Sequence, residues 1–121
     1  MRLFGLRGAA SVERNDAEDI LRATTELIEA LVERNALEAD RVVSCIFTAT
    51  NDLNAEFPAV AARNLGWERV PLLCAREIHV PGSLPRVIRV LIHHYAAEEH
   101  VARHVYLGEA ASLRADLESA Q

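Results

Sequence analysis

The sequence contains no lysine; all thirteen of its basic residues are arginine. That absence excludes Schiff-base chemistry and the phosphate-gripping lysine of a P-loop. Every cation available to a site is therefore a planar guanidinium, suited to holding a carboxylate through two parallel N–H donors. Cysteine is scarce too. Cys45 and Cys74 lie in apolar runs with no CxxC or histidine-spaced pattern, so they read as reduced, packed thiols and not as a disulfide framework. No apolar run approaches the roughly 18 residues needed to span a bilayer. Arg7 interrupts the N-terminal stretch before a signal-peptide core could form, so the expected compartment is cytoplasmic. Gly5, Gly8 and Gly66 make no GxGxxG fingerprint. A net charge of −5 weighs against nucleic acid or an anionic membrane as the main partner.

What remains is a 121-residue chain, half of it hydrophobic, which is enough for one domain with a real core. Residues Arg2 to Val12 alternate loosely and are rich in small residues, as in a strand that something approaches closely. Asn15 offers an N-cap, with Glu18 three residues on as a capping-box partner. From there Ile20, Leu21, Thr24, Leu27, Ile28, Leu31 and Val32 hold one face of a long amphipathic helix, about Asp16 to Asn35. Val42 to Ala49 reads as a central strand, apolar on both faces. A short helix follows, with Pro58 at its first position and Gly66 as its stop. Further strands are expected at Arg69 to Cys74, Val87 to Tyr95 and His104 to Leu107. The order gives an α+β fold, a mixed β-sheet backed by one long helix, as a single domain over residues 1–121. One long helix leaves the second face of the sheet uncovered, so a closed homo-oligomer with sites between subunits is expected.

Charges sit where that sheet should be apolar. In "VPLLCAREIHVPGSLPRVIRVLIHH", Glu77 closes one strand and Arg89 lies in the middle of the next. Arg7 sits likewise among Leu3, Gly5 and Ala9. An unpaired buried charge costs several kcal/mol, so each must be exposed, paired or kept for a ligand. Taken singly, each arginine is as well explained by a solvated strand edge. Together, two arginines and a glutamate embedded in strands point to a site for a small anion. Other chemistries fare worse. Cys74 with His79 lacks an orienting third residue. His100 and His104 are four apart but in a short polar segment, where solvated histidines are the better reading than a metal pair. His93 and His94 point to opposite faces of a strand. Tyr106 reads equally well as a half-buried strand aromatic.

Four separated motifs, "GLRGAASVERND", "TATNDLNAEFPAVAAR", "VPLLCAREIHVPGSLPRVIRVLIH" and "RHVYLGEAASLRADL", resemble the monofunctional chorismate mutases of the trimeric pseudo-α/β-barrel class. The similarity runs from Arg2 to about Leu117. It implies a homotrimer with active sites in clefts between neighbouring subunits, and a [3,3] rearrangement of chorismate to prephenate that needs no cofactor and no metal. By the same resemblance Arg7 binds a substrate carboxylate, Arg89 approaches the ether oxygen and Glu77 meets the ring hydroxyl. Leu73, Cys74, Ala75 and Arg76 form the adjoining wall, and Tyr106 contacts the side-chain carboxylate region. Phe57, Ala59 and Arg63 line the cleft edge, while Leu113 and Arg114 belong to a mobile C-terminal segment, residues 113–121, that closes over the ligand. Val60 stands where some relatives carry a lysine. Two rival readings remain at this level: a trimeric imine deaminase of the Rid type, and a non-catalytic trimer that binds metabolites of the aromatic pathway.

Overall fold

A computed structural model describes residues 1–113. Five strands form one mixed sheet: β1 (Arg2–Ser11), β2 (Val42–Ala49), β3 (Leu72–Arg76), β4 (Val87–Ala96) and β5 (Val105–Leu107). Their order is β3-β2-β4-β1-β5. β4 runs antiparallel to both of its neighbours, while β3 and β5 lie parallel to β2 and β1 at the two edges. Helix α1 (Ala17–Asn35) covers one face, and the short helix α2 (Ala59–Asn64) packs beside it. The expected α+β architecture is the observed one, with β2 in an interior position as its doubly apolar pattern requires.

The helical stripe behaves as its periodicity demands. Ile20, Thr24, Leu27, Ile28 and Leu31 are all buried, and they meet Leu6, Ala10, Phe47, Ile88 and Ile92 from the sheet in one continuous core. Gly8 is where the layers come closest. A Cβ there would stand 3.0 Å from both Leu27 Cδ1 and Leu31 Cδ1 and 3.2 Å from the Val105 carbonyl oxygen. The glycine lets α1 descend onto β1 while β5 pairs alongside.

Two local expectations change. The N-cap of α1 is Asp16, not Asn15: the Asp16 carboxylate accepts from the Glu18 N–H at 2.8 Å. Asn15 serves another purpose, accepting from the N–H groups of Asn54 and Ala55 at 3.0 Å each and so pinning the loop that leads to Phe57. The third strand is Leu72–Arg76 and not Arg69–Cys74. Pro71 has no N–H to give the ladder, so pairing begins after it, with the Pro71 carbonyl accepting from Cys45 N–H at 3.0 Å. At the end of α2, Gly66 takes the left-handed conformation (φ 97°) that marks the stop read from the sequence.

Among the described residues, the second face of the sheet is covered only at one end. There Ala9, Val87 and Ala110 are buried together, with Leu84, Tyr106 and Leu113 against them, where a 3₁₀ turn (Gly108–Ser112) folds back over β1. The rest of that face is open, and it carries the charged residues. The closeness at Gly8 gives a test of the packing. Gly8→Ala should destabilise the protein by about 1–3 kcal/mol, the usual cost of overpacking, measured from urea unfolding midpoints. An unchanged midpoint would show that α1 can rise off β1 freely.

Candidate active site

Strand alternation sorts the side chains of β4 between the two faces. Ile88, Val90, Ile92 and His94 are buried toward the core, whereas Arg89 and Leu91 emerge on the open face. The register then fixes Arg89's neighbours: Thr48 of β2 on one side and Ala9 of β1 on the other. Glu77 lies one residue past β3, where its N–H donates to the Ala49 carbonyl at 3.0 Å and so prolongs the β2–β3 ladder. From there its carboxylate pairs with Arg89 through Oε1. Oε2 accepts from the Thr48 hydroxyl at 2.7 Å. Glu77's side chain is 15% exposed and Arg89's 41%, so the acid is the enclosed partner and the guanidinium reaches the open side.

Arg7 projects from β1 opposite Leu91, and Tyr106 sits on β5 opposite Ala9. Arg7, Arg89, Tyr106 and Leu113 surround a cleft of about 510 Å³, with Ile46, Thr48 and Leu91 as its floor. The size suits a small organic acid, since ligand pockets run upward from about 300 Å³. Its lining is apolar apart from two guanidinium groups, one hydroxyl and the tyrosine. Such a setting strengthens charge–charge attraction relative to water.

The other residues singled out from the sequence lie elsewhere. Phe57, Cys74, Ala75 and Arg76 line a second cleft of about 400 Å³ at the β3 edge. Leu73 is 59% exposed in register with Ile46, on the Arg89 side of the sheet. Ala59 is buried within the core, while Arg63 on α2 is exposed. Arg114 lies outside the described residues. Cys74 and His79 border different clefts, so a nucleophile pair has no support. Burial pushes the Cys45 thiol up to about 12, a packed and inert group as its apolar run implied.

Two contributors were missed. Thr48, which holds the far oxygen of Glu77, carries no signal of its own; only the β2–β4 register brings it beside Arg89. His104 was read as a solvated neighbour of His100, and it is indeed exposed, but its contact with Arg7 was not foreseen. In the structure its Nδ1 accepts the Arg7 backbone N–H at 3.0 Å. His100 instead packs edge-on against Phe4 and His94, with ring centroids 5.0 and 5.5 Å away, and its Nε2 is buried. The two histidines share no ion site, and among the described residues no cluster of three or more potential ligands occurs.

The family described as chorismate mutase type I matches residues 3–117. This chain belongs to the type I chorismate mutases. The chorismate mutase AroH of Thermus thermophilus is 52% identical over 119 residues, which is 97% of this chain and 98% of that protein. The AroH of Bacillus subtilis (strain 168) is 42% identical over 119 residues, covering 97% of this chain and 94% of that one. A chorismate mutase structure from Clostridium thermocellum superposes with a TM-score of 0.86 at 44% identity, over 90% of this chain and 98% of that chain. The long coverage on both sides makes the membership one of the whole chain, not of a shared fragment.

Within this mutase fold the hydroxyl on Glu77 can be weighed directly. Thr48→Val keeps the shape and β-branching but leaves one carboxylate oxygen without its donor, and should cost about 1 kcal/mol in urea unfolding. Thr48→Ser, which retains the hydroxyl, should lose less than half as much. Equal losses would show that the bond contributes nothing.

Proposed function

We propose that the cleft between Arg7, Arg89 and Tyr106 binds chorismate and converts it to prephenate, the reaction for which the family is named. The carrying observation is the placement of Arg89, a guanidinium held by Glu77 on the floor of an otherwise apolar cleft. In this rearrangement a C–O bond breaks as a C–C bond forms inside one molecule. No proton has to move, so the cleft's task is to select a conformation and to match developing charge. Arg7 and the apolar floor hold the flexible substrate in a compact chair with its reacting ends together, which removes an entropic part of the barrier. Negative charge grows on the ether oxygen as the bond opens. A fixed guanidinium there stabilises the transition state more than the ground state. Glu77 takes the substrate's ring hydroxyl and keeps Arg89 aimed; Tyr106 meets the side-chain carboxylate region.

In this reading the protein is a homotrimer, and the site is completed by the β3 edge of a neighbouring copy. Leu73 on β3 and Ile78 and Val80 just after it are 59%, 89% and 56% exposed, and Phe57, beside Cys74 in the second cleft, is 65% exposed, apolar surface that a second copy would cover. Phe57, Arg63 and the wall from Leu73 through Cys74, Ala75 and Arg76 would then approach the cleft from the partner, with Leu113 of the first copy beside it. Val60, half-buried on α2, supplies no cation at the entrance, so long-range attraction of the substrate dianion rests on the arginines. A role in making aromatic amino acids fits a cytoplasmic enzyme. Among the described residues, no helix is long and apolar enough to cross a membrane.

Loss of chorismate's ultraviolet absorbance tests the reading. Native protein should consume chorismate rapidly, and Arg89→Ala should slow turnover by about 10²-fold or more, the usual effect of removing such a donor. Arg89→Lys should remain severely impaired, because a single ammonium cannot reproduce the fork. Binding without absorbance loss would favour the sensor reading, and equal rates in native protein and Arg89→Ala would place the decisive charge on another residue. Light scattering should give three times the 13.4 kDa chain mass; a monomeric mass would remove the shared site.

A further inference from the structure

Arg7 stands on the strand of the sheet that has the shortest partner. In β1 the Val12 N–H points toward the β4 side, donating to the Arg86 carbonyl at 2.8 Å. The two-residue period of a strand therefore turns the Arg7 N–H the other way, toward β5. β5 is only three residues long and its pairing begins at Gly8 with Val105. No strand carbonyl is available opposite Arg7, and the imidazole of His104 fills that place, its Nδ1 accepting the Arg7 N–H at 3.0 Å.

The imidazole is not there by chance of a loose loop. The preceding residue is clamped to the end of α1: Asn35 Nδ2 donates to the Arg103 carbonyl at 2.9 Å, and Asn35 Oδ1 accepts from the Arg103 N–H at 2.8 Å. Asn35 is itself only 4% exposed and also donates to the Leu31 carbonyl at 3.0 Å. A buried amide with its donors and acceptor all used makes a stiff support. The chain of contacts runs from the C-terminal turn of α1 through the Arg103 backbone to the His104 ring and so to the backbone of Arg7.

We propose that His104 is a positioning residue for Arg7: its neutral ring, protonated at Nε2, supplies the backbone acceptor that β5 is too short to provide, and so fixes where the Arg7 guanidinium enters the cleft. This rests on the reading of Arg7 as the residue that grips a substrate carboxylate. An imidazolium has no acceptor at Nδ1. Protonation would break the bond and place a second positive charge beside Arg7. Among the described residues the charge that acts on the ring is Arg7 of β1; Arg103 and Tyr106 flank His104 along its own segment, and α1 meets that segment through the uncharged Asn35. His104 is exposed at the surface; desolvation by the atoms packed against it first, then the charge of Arg7, holds its pKa below the ordinary value. The neutral form, and with it the anchoring of Arg7, is therefore complete above the ordinary histidine range and is lost as pH falls through the lowered value.

The experiment compares native protein, His104→Ala, His104→Asn and Arg7→Ala by chorismate consumption between pH 5 and 8, with hydrogen exchange of the Arg7 amide followed alongside. Asparagine can offer Oδ1 where Nδ1 stood but does not titrate. Expected at neutral pH is a KM raised about tenfold in His104→Ala, the scale of one lost hydrogen bond, with kcat little changed. His104→Asn should restore KM to within about twofold by the same argument, protect the Arg7 amide as the native protein does, and lack the native rise in KM at acid pH. Equal impairment in the alanine and asparagine variants would overturn the proposal, since the ring would then matter only as packing. A native KM in His104→Ala, with Arg7→Ala impaired, would overturn it while leaving Arg7's own role intact. A native KM in Arg7→Ala would instead overturn the reading of Arg7 on which it stands.

Discussion

A guanidinium in the middle of an interior strand is costly to desolvate unless a carboxylate meets it with good geometry. Arg89 has that partner in Glu77 while its guanidinium stays open to the cleft, and much of the open face is arranged around the pair. Glu77 must sit one step beyond β3 to reach Arg89, which is why the β2–β3 ladder continues to the Ala49 carbonyl after the strand proper has ended. Thr48 must lie across from Arg89, which follows from the β2–β4 register. The register in turn is pinned on the other face, where Phe47, Val90 and Ile92 are buried under α1; a one-residue slip would exchange core and cleft. The packed face thus decides which charges the open face can display.

What could be read in the sequence followed from periodicity. The α1 stripe, the doubly apolar β2 and the glycine stop after α2 each depend on neighbours within one segment, and each is where the pattern put it. Errors arose where two signals competed locally. Asn15 and Asp16 are both good caps, and the choice fell to Asp16 because Asn15 is needed by the loop at Asn54 and Ala55. The strand around Pro71 was placed by hydropathy, although a residue without an N–H displaces the start of pairing. At the site, Arg7, Arg89 and Glu77 were visible as charges in the wrong place. Thr48 and His104 were not, because an ordinary threonine and a loop histidine acquire meaning only through residues 29 and 97 positions away. Cross-strand register is long-range information that no single segment holds.

The chain's net charge of −5 is at first sight a poor match to a substrate dianion. Screening resolves the difficulty: at physiological ionic strength exposed charges beyond about 8 Å are largely masked, so distant acids on α1 count for little inside the cleft. The local balance is what a ligand meets. There Arg7 and Arg89 stand in a lining that holds no acid among the described residues, and Glu77 beside it is already paired with Arg89 and Thr48. The absence of lysine fits the same logic. A site that orients a substrate gains more from rigid, forked donors than from a mobile ammonium.

The same ion pair explains how the proposed chemistry avoids a penalty when substrate arrives. A guanidinium carries five N–H donors in a fixed plane, and the contact with Glu77 uses Nη1. Donors therefore remain for an ether oxygen in the cleft without releasing the acid. Glu77 needs no proton, because Thr48 continues to serve its second oxygen while lone pairs stay free for the substrate's ring hydroxyl. If Arg89 had instead to exchange Glu77 for substrate, an ionised carboxylate only 15% exposed would be left short of a cation, and part of the binding energy would be consumed in compensating it. Retaining the pair through the reaction keeps the guanidinium oriented before charge develops, so that little reorganisation is left to occur in the transition state. The hydroxyl of Thr48 and the carboxylate of Glu77 thus act on the reaction through the direction in which Arg89 points.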